Sequence, residues 1–232
     1  MADFVVVTGR GSVLEGVFKH PITLDPNKTH YIGLGEFVAY NSIPNVDHTN
    51  QLFFYSGGPE NQQQQEIIIP KGAYEITAIE EFLKEKLGAD NISLKANNNT
   101  LKSVLKSTYD LDFSKPGTIG SLLGFSPRVY GANEKHESEL PANIMAVNMI
   151  RLECNIAGGS YVNGEPSHAI YTFSPNVPPG YKMALSPRNP FFCRINTHSI
   201  NRLRISIVDQ DGRPVDFGEE LVSIRLHFKS VA

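Results

Sequence analysis

Tryptophan is absent from this 232-residue chain, cysteine occurs twice, and charge is nearly balanced, with 21 Lys and Arg against 24 Asp and Glu for a net charge of −3. Each shortage excludes something. Two cysteines cannot build a disulfide framework. Cys154 falls in phase with Ile150, Leu152 and Ile156, and Cys193 with Phe191 and Ile195, which is the pattern of small buried apolar side chains. Neither has a neighbouring His to lower its pKa, so a catalytic thiol is not expected. The balanced charge removes the bulk electrostatic drive for coating nucleic acid or an anionic membrane, and no direct sequence-specific nucleic-acid binding is expected. No run approaches the roughly 20 apolar residues of a membrane span, and the N-terminus lacks the basic start and apolar stretch of a signal peptide. The expectation is a soluble chain made in the cytoplasm, with no membrane partner.

Catalytic motifs are also missing. There is no Walker A sequence and no G-x-S-x-G elbow. Gly9 and Gly11 follow an apolar strand, but Leu14 stands where a dinucleotide-binding loop needs its third Gly, and another strand-like run follows in place of a helix. A hairpin is the better reading of this stretch. Seven His are present, yet none has a His, Asp or Glu two positions later, the cheapest way for one strand face to supply two metal ligands. His136-Glu-Ser-Glu139 reads as a solvated charged loop. No catalytic residue, cofactor or metal site is predicted, which shifts weight to binding or assembly.

What the chain does contain is β texture. Hydrophobic residues make up 41%, and 19 Gly and 15 Pro punctuate short apolar segments throughout. Strands are predicted at Phe4 to Thr8, Val13 to Phe18, Tyr31 to Tyr40, Gln51 to Tyr55, Glu66 to Ile69, Ile92 to Lys95, within Leu101 to Phe113, and at Met145 to Ile156, His168 to Phe173 and Phe191 to Ile195. Glu36 shares a phase with Ile32, Leu34, Val38 and Tyr40 and is expected to point inward. One helix interrupts the strands. Thr77-Ala-Ile-Glu80 matches a capping box, Ile79, Phe82, Leu83 and Leu87 recur at helical spacing, and Gly88 ends the run. A helical turn is also predicted at Ile119 to Leu123.

The stretch Ile207 to Phe228 carries Asp209, Asp211 and Glu220 at the first, third and twelfth positions of an EF-hand-like loop. Arg213 takes a ligand position, and Pro214 replaces the glycine such a loop needs. A tight Asp211-Gly212 hairpin between two alternating strands, with solvated acidic groups, accounts for it better. Phe191 and Phe192 are adjacent, so within a strand one faces in and the other out. An outward Phe192, out of phase with Cys193 and Ile195, is the candidate subunit contact, the alternative being that it packs under a loop.

Several segments taken together resemble a known family. They are Ile69 to Leu83, Ile119 to Phe125, Ile150 to Met183 with its Cys154-Asn-Ile and Val177-Pro-Pro-Gly-Tyr elements, and Ile200 to Phe228 with Asp209-Gln-Asp-Gly. The chain from about Leu24 onward resembles the minor capsid (penton) proteins of Polinton or Maverick elements, relatives of adintoviruses and virophages. The resemblance implies an all-β fold: a single jelly-roll β-sandwich of two four-stranded antiparallel sheets in Greek-key order, with the short helix near 77–88 as an insertion. Length and composition make one domain over residues 1–232 the expectation, with residues 1–20, where the resemblance is weaker, an arm or extra hairpin. The resemblance further implies a homopentamer at the five-fold vertices of a virion, in contact with a double jelly-roll major capsid protein, and no enzymatic residues. A glycan- or receptor-binding β-sandwich and a metal-dependent jelly-roll enzyme are the rival readings.

Overall fold

The computed structural model describes residues 4–57, 63–145 and 147–231. Three strands open the chain, β1 (Phe4–Arg10), β2 (Val13–Thr23) and β3 (Thr29–Tyr40). Then come β4 (Leu52–Ser56), β5 (Gln65–Ile68), α1 (Ile76–Leu87), β6 (Ile92–Asn97), β7 (Lys102–Ser107), β8 (Asp110–Asp112), β9 (Val129–Tyr130) and β10 (Lys135–Pro141). The last third holds β11 (Ile150–Cys154), β12 (Ala157–Gly158), β13 (Ser160–Val162), β14 (Glu165–Ser167), β15 (Ala169–Phe173), β16 (Lys182–Leu185), β17 (Cys193–Ile195), β18 (Ser199–Val208) and β19 (Leu221–Val231). The chain divides into two compact units, one formed by Met1–Ile43 with Val147–Ala232 and the other by Pro44–Ala146.

The first unit is a jelly-roll sandwich. One sheet has the order β1-β19-β3-β17-β12, with β16 also on β3, and the other has the order β15-β11-β18-β2. From β2 onward the successive sandwich strands alternate between the sheets: β2, β11, β15 and β18 in one, β3, β12, β16 with β17, and β19 in the other. That winding is what distinguishes a jelly roll from a meander of hairpins. The first sheet is six-stranded, where four strands were expected. Strand β1 adds an edge, and the short β17 and β16 pair with successive halves of β3, at Tyr31–Ile32 and Phe37–Tyr40. The sequence stretch at residues 1–20 thus supplies β1 and much of β2; residues 1–3 lie outside the described residues.

Period-two alternation builds the core. Leu203, Ile205 and Ile207 of β18, Ile150, Leu152 and Cys154 of β11, and Leu14 of β2 face Leu34 and Phe37 of β3 and Val222, Ile224, Leu226 and Phe228 of β19, all buried. Each such side chain stabilises the fold by about 1.5–3 kcal/mol relative to exposure. Phe37 packs on Phe173 and Phe217 with ring centroids 4.9 and 6.2 Å apart.

Two expected long hairpins are corners instead, although the tight turn at Asp211-Gly212 does form, with Val208 opposite Pro214. β18 pairs with β11 and β2, whereas β19 pairs with β1 and β3, so the strands flanking Asp211-Gly212 lie in different sheets. The same holds for β1 and β2, which pair with β19 and β18 respectively. The local turn chemistry is present, with Gly11 and Gly212 both at positive φ. Long, two-sided-amphipathic strands are nevertheless better satisfied by folding over the core than by pairing with each other. The two corners meet where the Ile207 N–H donates to the Ser12 carbonyl at 2.7 Å.

Glu36 does not point inward. The register of β3 on β19 shifts between Arg225–Glu36 and Leu226–Leu34, leaving Gly35 as the bulged residue. The bulge flips the phase, so Ile32 and Leu34 are buried before it and Phe37 and Ala39 after it. Glu36 is released to a 3.1 Å ion pair with Arg225.

The second unit has sheets of order β5-β4-β8-β9 and β10-β7-β6 and the helix α1. Ile76, Ile79, Leu83 and Leu87 form the buried stripe of α1, and Gly88 ends it at φ 94°. The predicted capping box does not form: Glu75 is the N-cap and makes no side-chain cap. The mostly buried Glu80 side chain instead pairs with Lys84, at 2.8 Å, and accepts the Leu94 N–H at 3.2 Å, so it ties α1 to β6. The predicted turn at Ile119 is a short 3-10 helix, Ile119–Ser121, over a core containing Phe53, Phe113, Phe125 and Tyr130.

Candidate functional site

Four places can be weighed as sites: the last corner, a charged cluster on β10, the thiols, and the exposed edges of the jelly roll.

At the last corner Asp209 is only 4% exposed. Its carboxylate accepts the backbone N–H groups of Asp211 and Arg213, both at 2.9 Å, and the Arg213 guanidinium at 2.8 Å. Arg213 also reaches Asp211 at 2.7 Å. Burial alone would raise the Asp209 pKa, but the N–H groups and guanidinium together hold it below the ordinary value. The group expected to be a solvated turn residue is therefore the lock of the corner. The geometry leaves no carboxylate ring for calcium.

The His136–Glu139 stretch is strand β10, not a loop. Its polarity runs backwards for a strand over a core, with Ser138 buried and Leu140 exposed, so the sequence pattern does not reveal it. Glu139 accepts the Ser126 N–H at 2.9 Å, the Tyr130 hydroxyl at 3.0 Å and the Arg128 guanidinium at 2.6 Å. Burial pushes its pKa up, and these donors more than reverse that, taking it to about 2. A carboxylate so fully occupied is a structural anchor, without the free lone pair or poised proton a general acid needs.

Cys154 is buried, and desolvation pushes its thiol up to about 11. The half-buried Cys193 is raised for the same reason and donates to the Ala169 carbonyl at 3.5 Å. Neither is a thiolate at neutral pH. Among the described residues no group of three or more His, Cys, Asp or Glu could hold a metal ion, and no helix is long and apolar enough to cross a membrane.

The exposed edges carry more. Phe4, Val6 and Val17 stand out from β1 and β2, and Tyr161 and Phe191 from the region flanking β15. Phe192, the predicted contact, is half-buried. Its ring covers Gly33, where a Cβ would lie 3.1 Å from Phe192 Cδ1, and Lys229 Nζ lies 5.6 Å from the ring centroid. The strand begins only at Cys193, so in–out alternation does not extend to this pair, and Phe191 is the one exposed, at 73%. The Pro190 just before it marked the irregular backbone.

No protein-family model and no curated protein matches the sequence. Among solved structures the chain is similar to the selenomethionine-labelled mavirus penton protein, with 12% sequence identity, 98% of this chain and 99% of that chain covered, and a TM-score of 0.52. The chain has the fold of a penton protein. The likeness covers 98% of this chain and so is not confined to one of its two compact units. At 12% identity what is shared is the path of the backbone, not a set of side chains.

Proposed function

We propose that this chain is the penton subunit of an icosahedral capsid, forming homopentamers at the five-fold vertices of a virion and contacting a double jelly-roll major capsid protein around them. The observation that carries the proposal is the end-to-end correspondence with a penton protein, in which almost nothing of either chain is left over. A domain borrowed for another purpose would be expected to match in its sandwich alone. In this reading residues 1–232 act as one capsid domain, and the protein works by shape and edge contacts, making and breaking no covalent bond.

The chemistry of the surface supports the same reading. Charged groups at the corner and on β10 are spent on holding loops, while apolar side chains are left on strand edges and loop tips, the distribution an assembling subunit needs. Phe192 anchors the loop that presents Phe191 for a subunit contact. The test is co-expression with the coat protein encoded alongside, followed by reconstruction of the particles without imposed placement of this chain. Density for five copies at each vertex is expected; closed shells with the chain absent or scattered over the facets would reject the proposal.

A further inference from the structure

Strand β1 is an unprotected edge. All seven of its residues pair with β19 in unbroken register, and among the described residues no strand pairs with its other side. Its sequence, Phe-Val-Val-Val-Thr-Gly-Arg, holds no proline and no charge before Arg10, and Phe4 and Val6 are 56% and 49% exposed. Stable monomers blunt such strands with charge, proline, bulges or brevity. The other edges of this sandwich are blunted in those ways. β2 carries Lys19, His20 and Pro21 and a register shift, β15 has five residues and a shift, and β16 and β12 have four and two residues.

The opposite edge is shaped to receive. In the strand orders β1 and β12 end one sheet and β2 and β15 end the other, so β12 and β15 lie across the sandwich from β1 and β2. Beside β15 an open cleft of about 280 Å³ is lined by Ala169, Tyr171, Thr172, Phe191 and Cys193. The β13–β14 ribbon next to it holds Tyr161 71% exposed. This edge offers an open cleft beside Tyr161, Tyr171 and Phe191, and the β1 edge offers Phe4 and Val6.

We infer that the β1 edge of one subunit packs against the β15–Phe191 edge of a second copy of the same chain. The two patches differ and lie on opposite edges of one sandwich, so the contact is heterologous. Each copy turns one patch to each neighbour, and repetition closes a ring where the rotation between neighbours is the one that five copies need, and an open filament otherwise. Pairing of β1 with β1 would instead consume the unprotected edge in a dimer and leave the cleft uncovered. The inference rests on the penton reading and names the surfaces that would close its ring.

The experiment uses the full chain, alone and with its coat protein. In a Cys193→Ser background, Val6→Cys and Phe191→Cys are made separately and together, and treated with a short bis-maleimide. Both positions are exposed, so the fold is not at stake. Mixing the two single variants should give a cross-linked heterodimer, and the double variant should give a ladder ending at five chains. Val6→Lys should shift the ring from five chains to one. Wild-type rings that survive Val6→Lys and show no 6–191 cross-link would overturn this assignment and leave the penton reading standing. A 6–6 cross-link within V6C alone would overturn it in favour of the symmetric dimer. A wild-type chain that stays monomeric and ignores the coat protein would sink both.

Discussion

Arg213 and Asp209 close the last corner of the jelly roll twice over, the backbone N–H of Arg213 donating to Asp209 Oδ1 at 2.9 Å and its guanidinium to Oδ2 at 2.8 Å. The Asp209 N–H returns a bond to the Arg213 carbonyl at 2.8 Å. A buried carboxylate with three donors is an all-or-none device. Asp209→Ala strands two backbone N–H groups and should cost about 2–4 kcal/mol in urea denaturation at neutral pH. The Asp209 pKa is lower in the folded protein than its ordinary 3.8. Its contribution is therefore complete above that ordinary value and is lost as pH falls through the lower folded value. The variant's stability curve should converge on the wild type's at strongly acidic pH.

Glu139 makes a sharper acid prediction. With its pKa taken from 4.5 to about 2, the protein should bind no proton at this site until pH falls well below the range where exposed glutamates titrate. Stability from this group is present above pH 4.5 and lost as pH falls toward 2. Following the carboxyl carbon by NMR should show it still ionised at pH 3. Because the side chain is 34% exposed, the stability change in Glu139→Gln should be smaller than that in Asp209→Ala.

Two glycines are held by close backbone. A Cβ at Gly124, already at φ 83°, would lie 2.1 Å from the Leu140 carbonyl oxygen, so Gly124→Ala should cost about 2–4 kcal/mol from strain and overpacking together. At Gly33 a Cβ would lie 2.5 Å from the Phe191 carbonyl oxygen. Gly33→Ala should lift the Phe191 loop off β3. It should weaken any ring made through that loop while lowering thermal stability by only about 1–3 kcal/mol, read by light scattering and calorimetry on one sample.

The thiols give a simple check on packing. At pH 7.5 the folded chain should leave Cys154 unlabelled by a thiol-reactive chromophore and label Cys193 slowly, with both reacting at once in denaturant. Fast native labelling of Cys154 would mean that β11 is not in the core.

Strand identity was readable because Leu203, Ile205 and Ile207 or Val222, Ile224 and Leu226 carry their burial in a two-residue period, which is a local property. Pairing of the long strands was not, because the Asp211-Gly212 turn, whose immediate flanks pair at Val208 and Pro214, looks the same whether β18 and β19 go on to pair or part. Only Gly212 has positive φ there, whereas at Asn163-Gly164 both residues do, and that dipeptide joins the true ribbon β13–β14. Glu36 was misplaced because a single bulged glycine reverses all phase beyond it. Strand alternation does not reach Phe192, because β17 begins only at Cys193. The apolar row Phe4-Val-Val-Val was visible as a strand, but that it forms an open edge depends on sheet order, a nonlocal fact.

The most direct test of the account is the solution mass of the purified chain by light scattering, alone and after mixing with the coat protein proposed as its partner. The account predicts five 25.6 kDa chains in one particle, or five-fold vertices once the coat protein is added. A 25.6 kDa species that stays a monomer and does not associate with the coat protein would contradict it.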